Sequence, residues 1–176
     1  MKNMGEFQTM ARENIVLIGM SGAGKSTLGV LLAKALGMDF LDTDILIQQT
    51  DGRLLQNIID EDGNSYFLDL EERVVSSVNA ENSVIATGGS VVYSAIAMKE
   101  LRKNATVVYL HVDFEEIEKR LKNITSRGIV FKNAATLRQV YDERLALYQG
   151  YADVTVDCTG KGIEECVSEL LSMKRK

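Results

Sequence analysis

Residues 19–26 read Gly19-Met20-Ser21-Gly22-Ala23-Gly24-Lys25-Ser26, the pattern G-x-x-x-x-G-K-[ST]. The apolar run Ile15-Val16-Leu17-Ile18 precedes it and reads as a buried parallel strand. A helical pattern follows, with apolar residues at Leu28, Leu31, Leu32, Ala35 and Leu36. A glycine-rich turn between a strand and a helix N-terminus points successive backbone N–H groups inward at phosphate oxygens, and Gly22 and Gly24 permit the bend. The helix dipole adds positive potential at the same place. In this context Lys25 would reach the β- and γ-phosphates of a nucleotide, and the Ser26 hydroxyl would bind Mg²⁺.

The rest of the chain alternates short apolar runs with amphipathic segments, which predicts a parallel sheet covered by helices on both faces. Strands are expected at 14–18, 39–41, 83–87, 105–111 and 153–157. Helices are expected at 25–36, 44–50, 54–61, 64–80, 93–103, 113–124, 134–148 and 162–173. Five parallel strands with crossover helices make a three-layer α/β/α domain, and 176 residues suffice for one core. Residues 1–13 are polar and are expected to be a flexible extension, which leaves 14–176 as a single domain. In such sheets ligands bind at the carboxyl ends of the strands, so the residues just after each strand are the informative ones.

After the second strand comes Asp42-Thr43-Asp44. Asp42 is placed to hold Mg²⁺ through water, and Asp44 to orient or deprotonate a nucleophilic hydroxyl. The competing reading is a helix N-cap, a position that favours Asp. After the third strand comes Thr87-Gly88-Gly89-Ser90. It is either a place where a ligand approaches the backbone closely or an ordinary turn with Ser90 as cap. Segment 123–135 carries Arg127 and Lys132 between two helices. It suits a basic lid whose Arg127 clamps phosphate, or a solvated loop. Arg144 either faces the site and grips a carboxylate or is an exposed arginine beside Glu143. Residues 115–120 are a solvated helix face with Arg120 as the possible exception, His111 has a capping or solvent role, and Cys158 and Cys166 are packing residues.

Composition narrows the partners. The net charge is −5 and the only basic run is Lys174-Arg175-Lys176, which argues against bulk nucleic-acid or anionic-membrane binding. Two cysteines without C-x-x-C, and a single histidine, make a disulfide framework or zinc site improbable and suit a reducing cytoplasm. A monomer is expected.

The order Gly-x-x-Gly-x-Gly-Lys-Ser-Thr, Asp42-Thr43-Asp44, Ala86-Thr87-Gly88-Gly89, an arginine in a short lid, and Arg144-x-x-Leu147-Tyr148 resembles the shikimate kinase family across roughly residues 13–172. The resemblance implies a P-loop, nucleoside monophosphate kinase-like fold. It implies transfer of the γ-phosphoryl of ATP to the 3-hydroxyl of shikimate, on the route to chorismate and aromatic amino acids. Carried onto this chain, it gives ATP binding by Gly22, Ala23, Gly24, Lys25, Ser26 and Thr27, with Arg120 against adenine and Arg127 on the phosphates. Ser26 and, through water, Asp42 serve Mg²⁺. Asp44 is the base and contacts the shikimate hydroxyls, Gly88 and Gly89 approach the substrate, and Arg144 binds its carboxylate. The substrate-binding helices fall at about 44–80.

Three departures bear on the acceptor. The family pattern Phe-Arg-x-x-Glu stands as Phe67-Leu68-Asp69-Leu70-Glu71, so an arginine that helps clamp shikimate is leucine. Each charged hydrogen bond lost is worth about 1.5–3 kcal/mol, tenfold or more in affinity. The third glycine of Gly-Gly-Gly is Ser90, and the lid and the 134–148 helix lack the usual prolines at Gly128 and Ala146. Two alternatives follow: a kinase of another small hydroxylated acid such as gluconate, and a non-catalytic nucleotide-binding homologue.

Overall fold

The computed structural model describes residues 13–122 and 136–173. β1 (Asn14–Ile18), β2 (Asp39–Asp42), β3 (Ser83–Ala86), β4 (Ala105–His111) and β5 (Val154–Asp157) form one sheet. Its order is β2-β3-β1-β4-β5, and every pairing is parallel. Val16, Leu17 and Ile18 of β1 and Val84, Ile85 and Ala86 of β3 are buried, as central strands covered on both faces must be. The chain leaves β1 toward β2 on one side and crosses back over it from β3 to β4 on the other. That reversal opens a crevice at the carboxyl end of β1, where ligands bind in doubly wound sheets.

The helices are α1 (Lys25–Leu36), α2 (Thr43–Asp51), α3 (Leu55–Ser76), α4 (Ala95–Arg102), α5 (Phe114–Lys122), α6 (Leu137–Tyr151) and α7 (Ile163–Met173), with a 3-10 turn at Val91–Tyr93. The strands match the sequence reading to within a residue, and the helices differ at three places. The break expected between helices 54–61 and 64–80 is present, since Gly63 leaves helical geometry (φ 81°, ψ 173°) and divides α3 into two helical segments. That element stops at Ser76, where Ser77 turns its hydroxyl back to the Val74 carbonyl at 2.7 Å. α6 begins at Leu137 because Thr136 and Gln139 form a reciprocal capping box. It runs on to Tyr151, because burying Tyr148 outweighs the weak helix propensity of Gly150.

The main core lies between the sheet and its covering helices. A second, smaller cluster holds Ile47 of α2 with Ile58, Phe67, Leu70 and Val74 of α3. α2 and α3 therefore carry apolar packing of their own, set beside the crevice. Among the described residues no helix is long and apolar enough to cross a membrane. The expected N-terminal extension, apart from Glu13, and the expected lid with Arg127 and Lys132 lie outside the described residues.

Candidate active site

The glycine-rich loop joins β1 to α1 as the sequence predicts. Gly22 (φ 86°) and Gly24 (φ 96°) occupy the left-handed region, which side chains disfavour. Lys25 is buried, and its Nζ donates to the carbonyls of Gly19 at 2.7 Å and Met20 at 2.8 Å. Arg120 of α5 donates to the Gly22 carbonyl at 3.0 Å and pairs with Glu116 one turn before it. It is therefore attached to the loop and is the exception on that helix face. Arg120 lines a cleft with Gly24, Thr27, Cys158 and Lys161. The neighbouring Cys158 thiol is pushed up to about 12, by burial first and then by Cys166, which fits a packing residue rather than a nucleophile.

At the end of β2 the Asp42 carboxylate divides its work. Oδ2 accepts from the Ser26 hydroxyl at 2.6 Å, and Oδ1 accepts from the Asp44 backbone N–H at 2.9 Å, capping α2. The two readings of Asp42 are compatible: the cap fixes the carboxylate that faces the phosphate loop. A hydroxyl and a carboxylate beside that loop are hard oxygen donors, and this donor set fits Mg²⁺, which takes one or two protein ligands and keeps several waters.

The acceptor side converges on Gly88 and Gly89. A Cβ on Gly88 would stand 2.5 Å from Glu71 Oε1 and 2.8 Å from Asp44 Oδ1. A Cβ on Gly89 would stand 3.0 Å from Ser21 Oγ and 3.1 Å from Arg144 Nη1. Glycine is needed at both positions for the close approach of side chains. The Gly88 N–H donates to Thr43 Oγ1 at 3.1 Å, and the Gly89 carbonyl accepts from Tyr148 at 2.6 Å. Arg144 is 1% exposed, its Nε donates to the Tyr93 hydroxyl at 3.3 Å, and its guanidinium lies 5.0 Å from the Tyr93 ring centre. The alternative of an exposed arginine beside Glu143 is thereby excluded. A buried guanidinium held against an aromatic face has the chemistry to grip a carboxylate.

Four residues of this constellation were not assigned to the site by the sequence reading. Glu71 is 2% exposed, its Oε2 accepts from Ser90 at 2.6 Å, and its Oε1 has no hydrogen-bond partner. Burial pushes its carboxyl up to about 7; Ser90 opposes the shift, Asp44 adds to it, and Arg144 and Lys25 oppose it. The available signal was a charged residue on the apolar stripe Phe67, Leu70, Val74. Ser90 was read as a helix cap, but its hydroxyl makes no cap and holds Glu71 instead. Tyr93 and Tyr148 frame Arg144 and Gly89; Tyr148 stands in the Arg144-x-x-Leu147-Tyr148 motif, whereas Tyr93 carries no local signal. His111 contacts Tyr109 and Asp113 and is not part of this constellation. Leu68 packs on the α2–α3 cluster and lines a cleft with Glu71, Ser90 and Tyr93.

Comparison with known proteins agrees with this geometry. Residues 21–174 match the family model described as shikimate kinase. A shikimate kinase of Persephonella marina is 34% identical over 163 residues, covering 92% of this chain and 99% of that protein. The structure of a shikimate kinase from Acinetobacter baumannii in complex with shikimate superposes with a TM-score of 0.81 at 28% identity, covering 96% of this chain and 94% of that one. That of Aquifex aeolicus gives a TM-score of 0.76 at 33% identity, covering 92% and 96%. The chain, with its five-stranded P-loop kinase fold, belongs to the shikimate kinase family.

Proposed function

We propose that this protein transfers the γ-phosphoryl group of ATP to the 3-hydroxyl of shikimate, giving shikimate 3-phosphate and ADP. Membership of the family implies the use of ATP. The observation that carries the acceptor reading is the setting of Gly89, whose Cβ position lies 3.0 Å from Ser21 Oγ of the phosphate loop and 3.1 Å from the buried Arg144 guanidinium. A small hydroxy acid bound beside ATP needs just such a neighbourhood of phosphate donors and a carboxylate-binding cation.

In this reading the backbone N–H groups of residues 22–27 hold the phosphates, and Arg120 lies against the adenine. Lys25 exchanges its loop carbonyls for the β- and γ-phosphates. Arg144 grips the acceptor carboxylate, and the Gly88–Gly89 backbone lets the acceptor close on the loop. Asp44 takes the proton of the acceptor hydroxyl as that oxygen bonds to the γ-phosphorus. The bond from the γ-phosphorus to its bridging oxygen breaks, and ADP leaves. Mg²⁺, held by Ser26 and through water by Asp42, would neutralise charge on the phosphate oxygens. Arg127, outside the described residues, is assigned to the phosphates. Residues 14–176 act as one domain, a monomer of the cytoplasm.

Asp44→Asn tests the assignment. It should lower kcat at least a hundredfold, the usual worth of a positioned base, with the ATP KM within about twofold. A kcat within tenfold of wild type would remove Asp44 from the chemistry.

A further inference from the structure

Tyr93 has no part in the reaction above, yet it holds Arg144 by both hydroxyl and ring. The hydroxyl accepts from Nε at 3.3 Å, and the ring centre lies 5.0 Å from the guanidinium carbon. The backbone sets Tyr93 in place for this. It ends the 3-10 turn Val91–Tyr93, its N–H donates to the Ser90 carbonyl at 2.9 Å, and Val91 and Val92 before it are buried. A guanidinium can offer a carboxylate a two-bond fork from its Nε edge or from its Nη1–Nη2 edge. Tyr93 engages the first edge. Nη1 belongs to the second, and it is the atom 3.1 Å from the Cβ position of Gly89. Tyr93 also lines a cleft with Leu68, Asp69, Glu71 and Glu72. Among the described residues that cleft has carboxylates and no cation in its lining, so the grip on an anionic acceptor depends on how Arg144 is aimed. An arginine locked before binding loses little further rotamer freedom when it takes its ligand.

We propose that Tyr93 is the positioning residue for the acceptor's carboxylate. It ties up Nε, backs the guanidinium and turns the Nη1–Nη2 edge of Arg144 toward Gly89. With Leu68 in the same cleft, one prearranged arginine does the work of selecting an anionic acceptor. The inference rests on the acceptor reading given above.

The test measures wild type, Tyr93→Phe and Tyr93→Leu with shikimate and with its neutral methyl ester. Tyr93→Phe keeps the ring and loses the hydroxyl. It should raise the shikimate KM about tenfold, the order expected for one hydrogen bond to a charged group. Tyr93→Leu loses both contacts and should raise it further. In both variants kcat and the ATP KM should stay within about threefold of wild type, because the base and the phosphate loop are untouched. On the methyl ester both variants should match the wild-type kcat/KM to within about threefold, because the charge that Arg144 grips is gone. A loss that is equal on acid and ester would overturn the inference, as would a fall in kcat with the shikimate KM unchanged; both are marks of a structural role. Failure of wild type to turn over shikimate would overturn the acceptor reading and this inference together. Turnover of shikimate with a KM in Tyr93→Leu within about twofold of wild type would overturn this inference alone.

Discussion

At Asp42 a single carboxylate meets two demands, capping α2 through Oδ1 and holding Ser26 through Oδ2. Glu71 presents the opposite case, a buried carboxyl whose position costs stability. Its pKa stands at about 7 in the folded protein against 4.5 for a free side chain. The folded state therefore binds the proton more tightly. The favourable contribution is fully present below pH 4.5 and is lost as pH rises through about 7. Glu71→Gln removes this dependence and isolates it from other carboxylates. Urea unfolding should show wild type losing on the order of 3 kcal/mol relative to Glu71→Gln between pH 4.5 and pH 8, with most of the change complete near pH 7. A difference that is flat with pH would mean that Glu71 keeps its ordinary acidity.

The elements that bear residues proposed for the acceptor side are α2 and α3. Asp44 opens the first, Glu71 sits in the second, and their mutual packing is the small cluster around Ile47. Ile47 is fully buried, so Ile47→Ala should cost about 2–5 kcal/mol of stability by chemical denaturation. It should also raise the acceptor KM more than the ATP KM, because the phosphate loop belongs to the other core. A cost below about 1 kcal/mol would show that the two helices are held by the site rather than by their own packing. At this scale the sequence was readable where periodicity is strong. The Ile15–Ile18 run, the glycine loop and the Lys25–Leu36 helix fall where patterning put them. The ends of α3 and α6 were less so, since hydrophobic periodicity marks faces better than ends. Least readable were the settings of Glu71 and Arg144. Each depends on a partner distant in sequence, Ser90 for one and Tyr93 for the other.

For the whole molecule, topology ties these parts together. The reversal of chain direction across β1 brings the phosphate loop, the end of β2 and the Gly88–Gly89 turn to one end of the sheet. α6 then lays Arg144 against that turn from across the crevice. The phosphate loop and Arg144, proposed for nucleotide and acceptor, come from separate stretches of chain and meet at Gly89. The direct test is ADP release by the purified protein with Mg-ATP and shikimate, beside a panel of other hydroxy acids and polyols including gluconate. The account predicts saturable turnover with shikimate at a KM of about 1 μM–1 mM, the usual range for enzymes, and none with gluconate. ADP release with another acceptor alone, or with none despite tight ATP binding, would contradict it.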